Sequence, residues 1–196
     1  MNITFDILKA IAPGSSRSNY KLLPDLAFQM NEQFDDGNID TISELCHFLA
    51  QAAHETDSFN SLEEYASGKQ YEGRKDLGNS IPGYGVAFKG RGIFMATGYY
   101  NYQNLTFACP DQTKSFIDLP VLLADPKWAV WSAIKYWNDR HLSDFANMPD
   151  TSLIFSKTLN KSLTPLQYIT WRINGGQNGI ESRQVFYERA KKILNS

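Results

Sequence analysis

Apolar side chains recur every three or four positions along several stretches of the chain, and stop and start residues separate those stretches. Leu45, Phe48, Leu49 and Ala52 fall on one helix face, and Thr41 followed three residues later by Glu44 forms a capping-box pattern at its start. The same stripe runs on to Glu55, one turn past Ala52. Upstream, the pattern predicts a helix over Phe5–Ala12, stopped by Pro13-Gly14, and another from about Pro24 with Leu26, Met30 and Phe34 as its spaced apolar positions. The run DDGN at Asp35–Asn38 reads as a turn. Downstream, Asp125-Pro126 looks like a cap and first helical residue, and Trp128, Trp131, Ile134 and Trp137 follow as core positions. Further helices are expected around Ser152–Leu159, from the Thr164-Pro165-Gln167 cap to Gly175-Gly176, and over about Glu181–Leu194.

One segment breaks this rhythm. Tyr65–Lys89 is rich in glycine, includes Pro82, and shows no helical period. It reads as a long irregular lobe with a short hairpin, and irregular stretches of this length inside a domain are usually functional. The fold class expected is therefore mainly α, with a short irregular/β lobe.

Composition narrows the function classes. A chain of 196 residues can bury a real core as one domain, and 42% hydrophobic with 20% charged residues is ordinary for a globular protein. The formal net charge of −2 gives no reason to expect nucleic acid as a partner or a polybasic membrane anchor. No apolar run reaches membrane-spanning length, and the opening MNITFDILKAIAPGSS lacks the cationic start of a signal peptide, so no signal peptide and no stable membrane insertion are expected. Cys46 lies within the apolar helix and reads as a free buried thiol; with Cys109 it is too few for a disulfide framework. His47 and His141 have no ligand-spaced partner, so no metal and no cofactor are expected.

The chemistry concentrates on two carboxylates. An acid at the end of an apolar helix face is unusual, because burying a carboxylate without a partner is costly, and such a setting favours the proton-carrying form. Glu55 occupies that place, and Glu64 follows nine residues later in polar, irregular chain. Two carboxyl groups in contrasting surroundings can divide acid and base roles, as glycoside hydrolysis requires. Glu63 beside Glu64 reads as a solvated neighbour, and Glu72 in the same lobe is an alternative base.

The motifs add a resemblance. AHET at Ala53–Thr56, Glu64, KGRG at Lys89–Gly92 and TGYYNY at Thr97–Tyr102 resemble glycoside hydrolase family 19, the chitinases and related endolysins. LEEYASGKQYEGRKDLGN followed by PGYGVAFKGRG is similar to its phage and bacterial endolysin branch, and the match runs over roughly residues 40 to 190. The resemblance implies a lysozyme-like, two-lobed fold with the irregular lobe flanking an active-site cleft. It implies a single domain over residues 1–196, with residues 1–40 an N-terminal helical part and 41–196 the catalytic core.

By the same resemblance Glu55 is the general acid, Glu64 the general base of an inverting hydrolysis, and Thr97 the hydroxyl that helps hold the attacking water. Asn101 and Tyr102 match cleft-lining positions, Asn174 an asparagine that binds the acetamido region, and Arg183 an arginine that organises the acidic site. His54 orients the acid or touches substrate, and Arg91 ties the lobe down through ion pairs. The sequence departs from the chitinases at Met95, where they have glutamine, at Gly98-Tyr99, and at Gln177-Asn178. These departures put chitin in doubt as substrate. The expected activity is that of an endolysin cutting the β-1,4 bond between N-acetylmuramic acid and N-acetylglucosamine, a monomer without cofactor whose partner is the peptidoglycan strand. It would wait in the host cytoplasm until a holin released it to the periplasmic wall. A chitinase, a catalytically inactive glycan-binding lysis protein and a toxin effector with the same chemistry remain the alternatives.

Overall fold

The computed structural model describes residues 2–14 and 20–195. In chain order the helices are α1 (Phe5–Ile11), α2 (Leu23–Gln33), α3 (Ile42–Glu55), α4 (Tyr84–Ala87), α5 (Tyr99–Ala108), α6 (Pro126–Asp139) and α7 (Leu142–Ala146). Strands β1 (Ile154–Ser156) and β2 (Lys161–Leu163) follow, then α8 (Pro165–Asn174) and α9 (Ile180–Leu194). The protein is mainly helical, as the apolar pattern predicts. No helix among the described residues is long and apolar enough to cross a membrane. The chain divides into two compact units, residues 1–60 with 134–196, and residues 61–133.

The first unit is built on α3 and α9, which share its largest helix contact. The capping box forms as the sequence pattern predicts: Glu44 N donates to Thr41 Oγ1 at 3.1 Å, and Thr41 N donates to Glu44 Oε2 at 2.9 Å. α3 is buried on nearly every side, with Cys46, His47, Ala50, Gln51 and Ala53 enclosed as well as the predicted apolar stripe. α9 turns Arg183, Tyr187, Ala190 and Leu194 inward at helical spacing, so the charged head of its buried stripe is an arginine. The second capping box also forms, at Thr164 with Gln167, and α8 stops at Gly175 in the left-handed conformation.

The helix expected over Ser152–Leu159 is not there. Ile154, Phe155 and Ser156 instead pair antiparallel with Leu163, Ser162 and Lys161. The physical reason lies in the local pattern: Leu153, Ile154 and Phe155 are contiguous apolar residues, which cannot share one helix face. Burial in β1 alternates, with Phe155 exposed and Ser156 buried, and Asn160 turns the chain with φ +50.

The second unit contains the irregular lobe, but no hairpin forms within Tyr65–Lys89. That stretch holds two 3-10 turns, Lys69–Tyr71 and Lys75–Leu77, and the short α4. A Cβ on Gly68, whose φ is +85, would lie 2.5 Å from the Gly85 carbonyl oxygen and 2.8 Å from Lys89 Cβ. The two segments approach backbone to backbone at a distance only glycine permits. Side chains replace the missing ladder: Asn79 Nδ2 donates to Tyr71 O at 3.0 Å, and Asn79 Oδ1 accepts from Tyr99 N at 3.0 Å. Behind the lobe Phe88, Tyr102, Cys109, Phe116, Leu123 and Trp128 form a core, with Trp131 stacked on Phe116 at 5.9 Å. Trp137 is fully buried in the first unit, so the α6 tryptophans are core residues.

Candidate active site

Glu55 is the last residue of α3, and Arg183 lies in the first turn of α9. Arg183 Nη2 stands 2.5 Å from Glu55 Oε1, with the arginine side chain 1% exposed and the glutamate 17%. The guanidinium is held by further acceptors: Gln51 Oε1 at 2.5 Å from Nη1 and Asn178 O at 3.2 Å from Nε. Gln51 in turn donates to Thr170 Oγ1 at 3.0 Å. The apolar setting expected for Glu55 is thereby corrected, because a buried counter-charge meets one carboxylate oxygen. Burial pushes the Arg183 guanidinium below its ordinary value, and the Glu55 charge works in the opposite direction. No hydrogen bond reaches Glu55 Oε2 from the described residues.

His54 and Asn174 join this cluster. His54 Nδ1 is 2.6 Å from Ser182 Oγ, and its ring packs against the Gly179 backbone. Burial, reinforced by the Arg183 charge, lowers the His54 pKa, and the Glu55 charge opposes both. Asn174 Nδ2 donates to Asn178 O at 3.0 Å and its Oδ1 accepts from Gly176 N at 2.8 Å. Asn174 and Arg183 therefore share the Asn178 carbonyl, which ties the end of α8 to the start of α9.

Glu64 is organised within the second unit. Its Oε1 accepts from Gln70 Nε2 at 2.8 Å and from Tyr71 O–H at 3.0 Å, and its Oε2 accepts from Gly90 N at 3.1 Å. The Glu64 N–H also donates to Gly90 O at 2.9 Å, which fixes the two segments in register. Burial is the largest cause raising the Tyr71 pKa, so the phenol stays a donor toward the carboxylate. Thr97 Oγ1 donates to Met95 O at 2.8 Å, and Asn101, which is exposed, donates to Thr97 O at 2.7 Å.

Two sequence assignments change here, those of Glu63 and Tyr102. Glu63 is no free solvated neighbour: Arg91 Nη2 lies 2.8 Å from its Oε1 and Lys89 Nζ 3.3 Å. Tyr102, expected to line a cleft, is fully buried; its hydroxyl donates to Lys89 O at 2.6 Å and accepts from Arg91 Nη1 at 3.0 Å. Burial raises its pKa to about 12, so it is a neutral core phenol. Glu72, the alternative base, braces the lobe by accepting Gly83 N at 3.0 Å and Val86 N at 3.2 Å, one on each oxygen.

Gln51, Gln70, Tyr71, Gly90, Asn178 and Ser182 were not singled out from the sequence. Only Gln51 carried a usable signal, as it sits one helical turn before Glu55 on the same face. Gln70 and Tyr71 come from a 3-10 turn, Gly90 and Asn178 from loops and Ser182 from α9, and each meets its partner only in the folded chain.

No family model matches the sequence. Solved structures do resemble it. Chitinase C from Streptomyces griseus HUT6037 superposes with a TM-score of 0.64 at 17% identity, covering 99% of this chain and 93% of that one. A class IV family 19 chitinase from Zea mays gives a TM-score of 0.64 at 17% identity, over 100% and 92% of the two chains. A bacterial family 19 chitinase gives 0.60 at 19% identity, over 99% and 95%. At these identities the fold is what is shared: the chain has the mainly helical fold of the family 19 chitinases.

Proposed function

We propose that the protein is a glycoside hydrolase that cuts peptidoglycan by inverting acid/base hydrolysis, with Glu55 as general acid and Glu64 as general base. The observation that carries this reading is the contrast between the two carboxylates. Glu55 has one oxygen held by Arg183, and its other oxygen receives no hydrogen bond from the described residues, which leaves it open to a glycosidic oxygen. Glu64 receives three donors and lies beside the Thr97 hydroxyl, suited to accepting a proton from water. Glu72, whose two oxygens accept the Gly83 and Val86 N–H groups, remains the alternative base, and Glu64 is preferred on the family resemblance. His54, Asn101, Asn174 and Arg183 are proposed to bind and orient the glycan, Arg183 through Glu55.

The choice of peptidoglycan rests on the endolysin-like motifs of the lobe and on Met95 in place of the chitinase glutamine. In this reading the enzyme is a monomeric phage or prophage endolysin that reaches the periplasmic wall from the host cytoplasm through a holin. The second reading is a chitinase, favoured by the solved structures that share the fold. Isolated Gram-negative peptidoglycan treated with the protein, followed by borohydride reduction and mass spectrometry, separates the two. Reduced muramic acid ends that vanish in Glu55→Gln support the proposal. Cleavage confined to chitin oligomers selects the chitinase, and silence on both glycans overturns hydrolysis.

A further inference from the structure

Two tyrosine–arginine pairs of the same spacing stand on neighbouring helices of the first unit, and neither takes part in the acid/base chemistry. Tyr136 and Arg140 lie one turn apart where α6 stops, and Tyr168 and Arg172 lie one turn apart in α8. The guanidinium carbon of Arg140 sits 3.5 Å from the centre of the Tyr136 ring, and that of Arg172 sits 5.9 Å from the centre of the Tyr168 ring. The Tyr136 hydroxyl joins the two pairs: it donates toward the Arg172 carbonyl at 2.8 Å and the Ile173 carbonyl at 3.2 Å.

These two arginines lack a counter-charge. Among the described residues no carboxylate forms an ion pair with either of them. Asp139, next to Arg140 in the sequence, is taken by Lys135 at 2.9 Å. A helix end favours a cation, but Tyr136 already meets the Arg172 and Ile173 carbonyls, so the Arg172 guanidinium is not needed to satisfy them. Both arginine side chains are partly exposed. The Tyr136 ring covers one side of the Arg140 guanidinium and leaves N–H groups on its other sides for a partner. Glu55 acts on the same phenol. Burial raises the Tyr136 pKa, the Arg140 and Arg172 charges oppose that rise, and the Glu55 charge adds to it.

A planar fork of N–H donors without a carboxylate of its own suits an anion with paired oxygens, above all a carboxylate. Chitin carries no ionised group. The muramyl branch of peptidoglycan does: its lactyl group ends in a carboxylate where the peptide is missing, and the stem peptide carries free carboxylates where it is present. We propose that Arg140 and Arg172 form an anion subsite that holds a carboxylate of the muramyl branch and so selects peptidoglycan over chitin. The carboxylate is held equally before and during bond cleavage, so the subsite lowers KM and leaves kcat alone. This inference rests on the reading of the protein as a peptidoglycan hydrolase.

The test measures KM and kcat for wild type, Arg140→Gln, Arg172→Gln and the double variant. The substrates are solubilised peptidoglycan strands, the same strands stripped of peptide by an amidase, and chitin oligomers. The double variant should show KM raised about tenfold or more on peptidoglycan, with kcat changed less than about threefold and any turnover of chitin oligomers unaltered. A rise on peptide-bearing strands assigns a stem-peptide carboxylate, and a rise on stripped strands assigns the lactyl carboxylate. Lysine at both positions should restore only part of the loss, because it keeps the charge without the fork. Unchanged KM on both forms of peptidoglycan, or an equal loss on chitin oligomers, overturns the proposal while the hydrolase reading stands. If the glutamine variants do not fold, N-acetylmuramic acid and N-acetylmuramyl-L-alanyl-D-glutamate are titrated into the wild type while the arginine Nε–H signals are followed by NMR. Shifts with these acids and none with N-acetylglucosamine support the subsite, and no shift, or the same shift with all three, overturns it. If the wild type cleaves neither glycan the hydrolase reading fails, and this titration alone decides whether the subsite exists.

Discussion

Arg183 and Glu55 are 128 residues apart in sequence and 2.5 Å apart in space, joining the start of α9 to the end of α3. An ion pair this enclosed is worth little over an apolar pair of the same volume, but breaking it strands a charge. Arg183→Ala should therefore destabilise the first unit by about 3–5 kcal/mol, measured by denaturant unfolding. Glu55→Gln should cost less, because its amide oxygen still accepts from the guanidinium. A change under about 1 kcal/mol in Arg183→Ala would show that the pair is not held in solution.

Glu64 and Glu72 separate by readout. Glu64→Gln should reduce kcat on peptidoglycan by about a hundredfold or more, beyond any stability it costs through its own three donors, in keeping with loss of a general base. Glu72→Gln should instead lower the melting temperature, since two backbone N–H groups lose a charged acceptor. The reverse pattern would move the base to Glu72.

His47 predicts a pH dependence of stability. Its ring is fully buried, makes no hydrogen bond through either nitrogen among the described residues, and packs at a tilt against Tyr187 at 4.4 Å. Burial pushes its pKa down to about 4, with Asp150 pulling upward and Lys191 pushing down. Asp150 is itself engaged by Tyr187 O–H at 2.6 Å and Lys191 Nζ at 2.5 Å. Above pH 6.5 the ring is neutral in both folded and unfolded chains. As pH falls from 6.5 toward 4 only the unfolded chain takes up the proton, so stability drains away across that window, by about 3 kcal/mol in all. His54, whose pKa is also lowered, adds a loss of the same sign. Comparing wild type with His47→Phe by urea unfolding between pH 7.5 and 4.5 isolates the His47 part: the variant should lose less stability on acidification. Parallel curves would refute the assignment.

Gly68 tests the backbone contact that shapes the lobe. Gly68→Ala puts a Cβ at left-handed φ against the Gly85 carbonyl and Lys89 Cβ. Strain and overpacking together should cost about 2–4 kcal/mol. Thermal unfolding checks it, and a variant as stable as wild type would mean the two segments can separate freely.

What could be read from the sequence was whatever is set by neighbours a few residues apart. Thr41 with Glu44 and Thr164 with Gln167 place their helix starts because both partners of each box lie within one turn. The apolar spacing through Leu45–Ala52 fixes the inward face of α3 for the same reason, and it carries Glu55 to the end of a buried helix. Tertiary structure decided what depends on distant partners. Ile154–Ser156 became a strand because Lys161–Leu163 was there to pair with it. Tyr102 went to the core because Arg91 and the Lys89 carbonyl could satisfy its hydroxyl there. The surroundings of Glu55 turned from apolar to ion-paired because α9 packs along α3, and no local pattern records which side chain of a distant helix will arrive opposite a given residue.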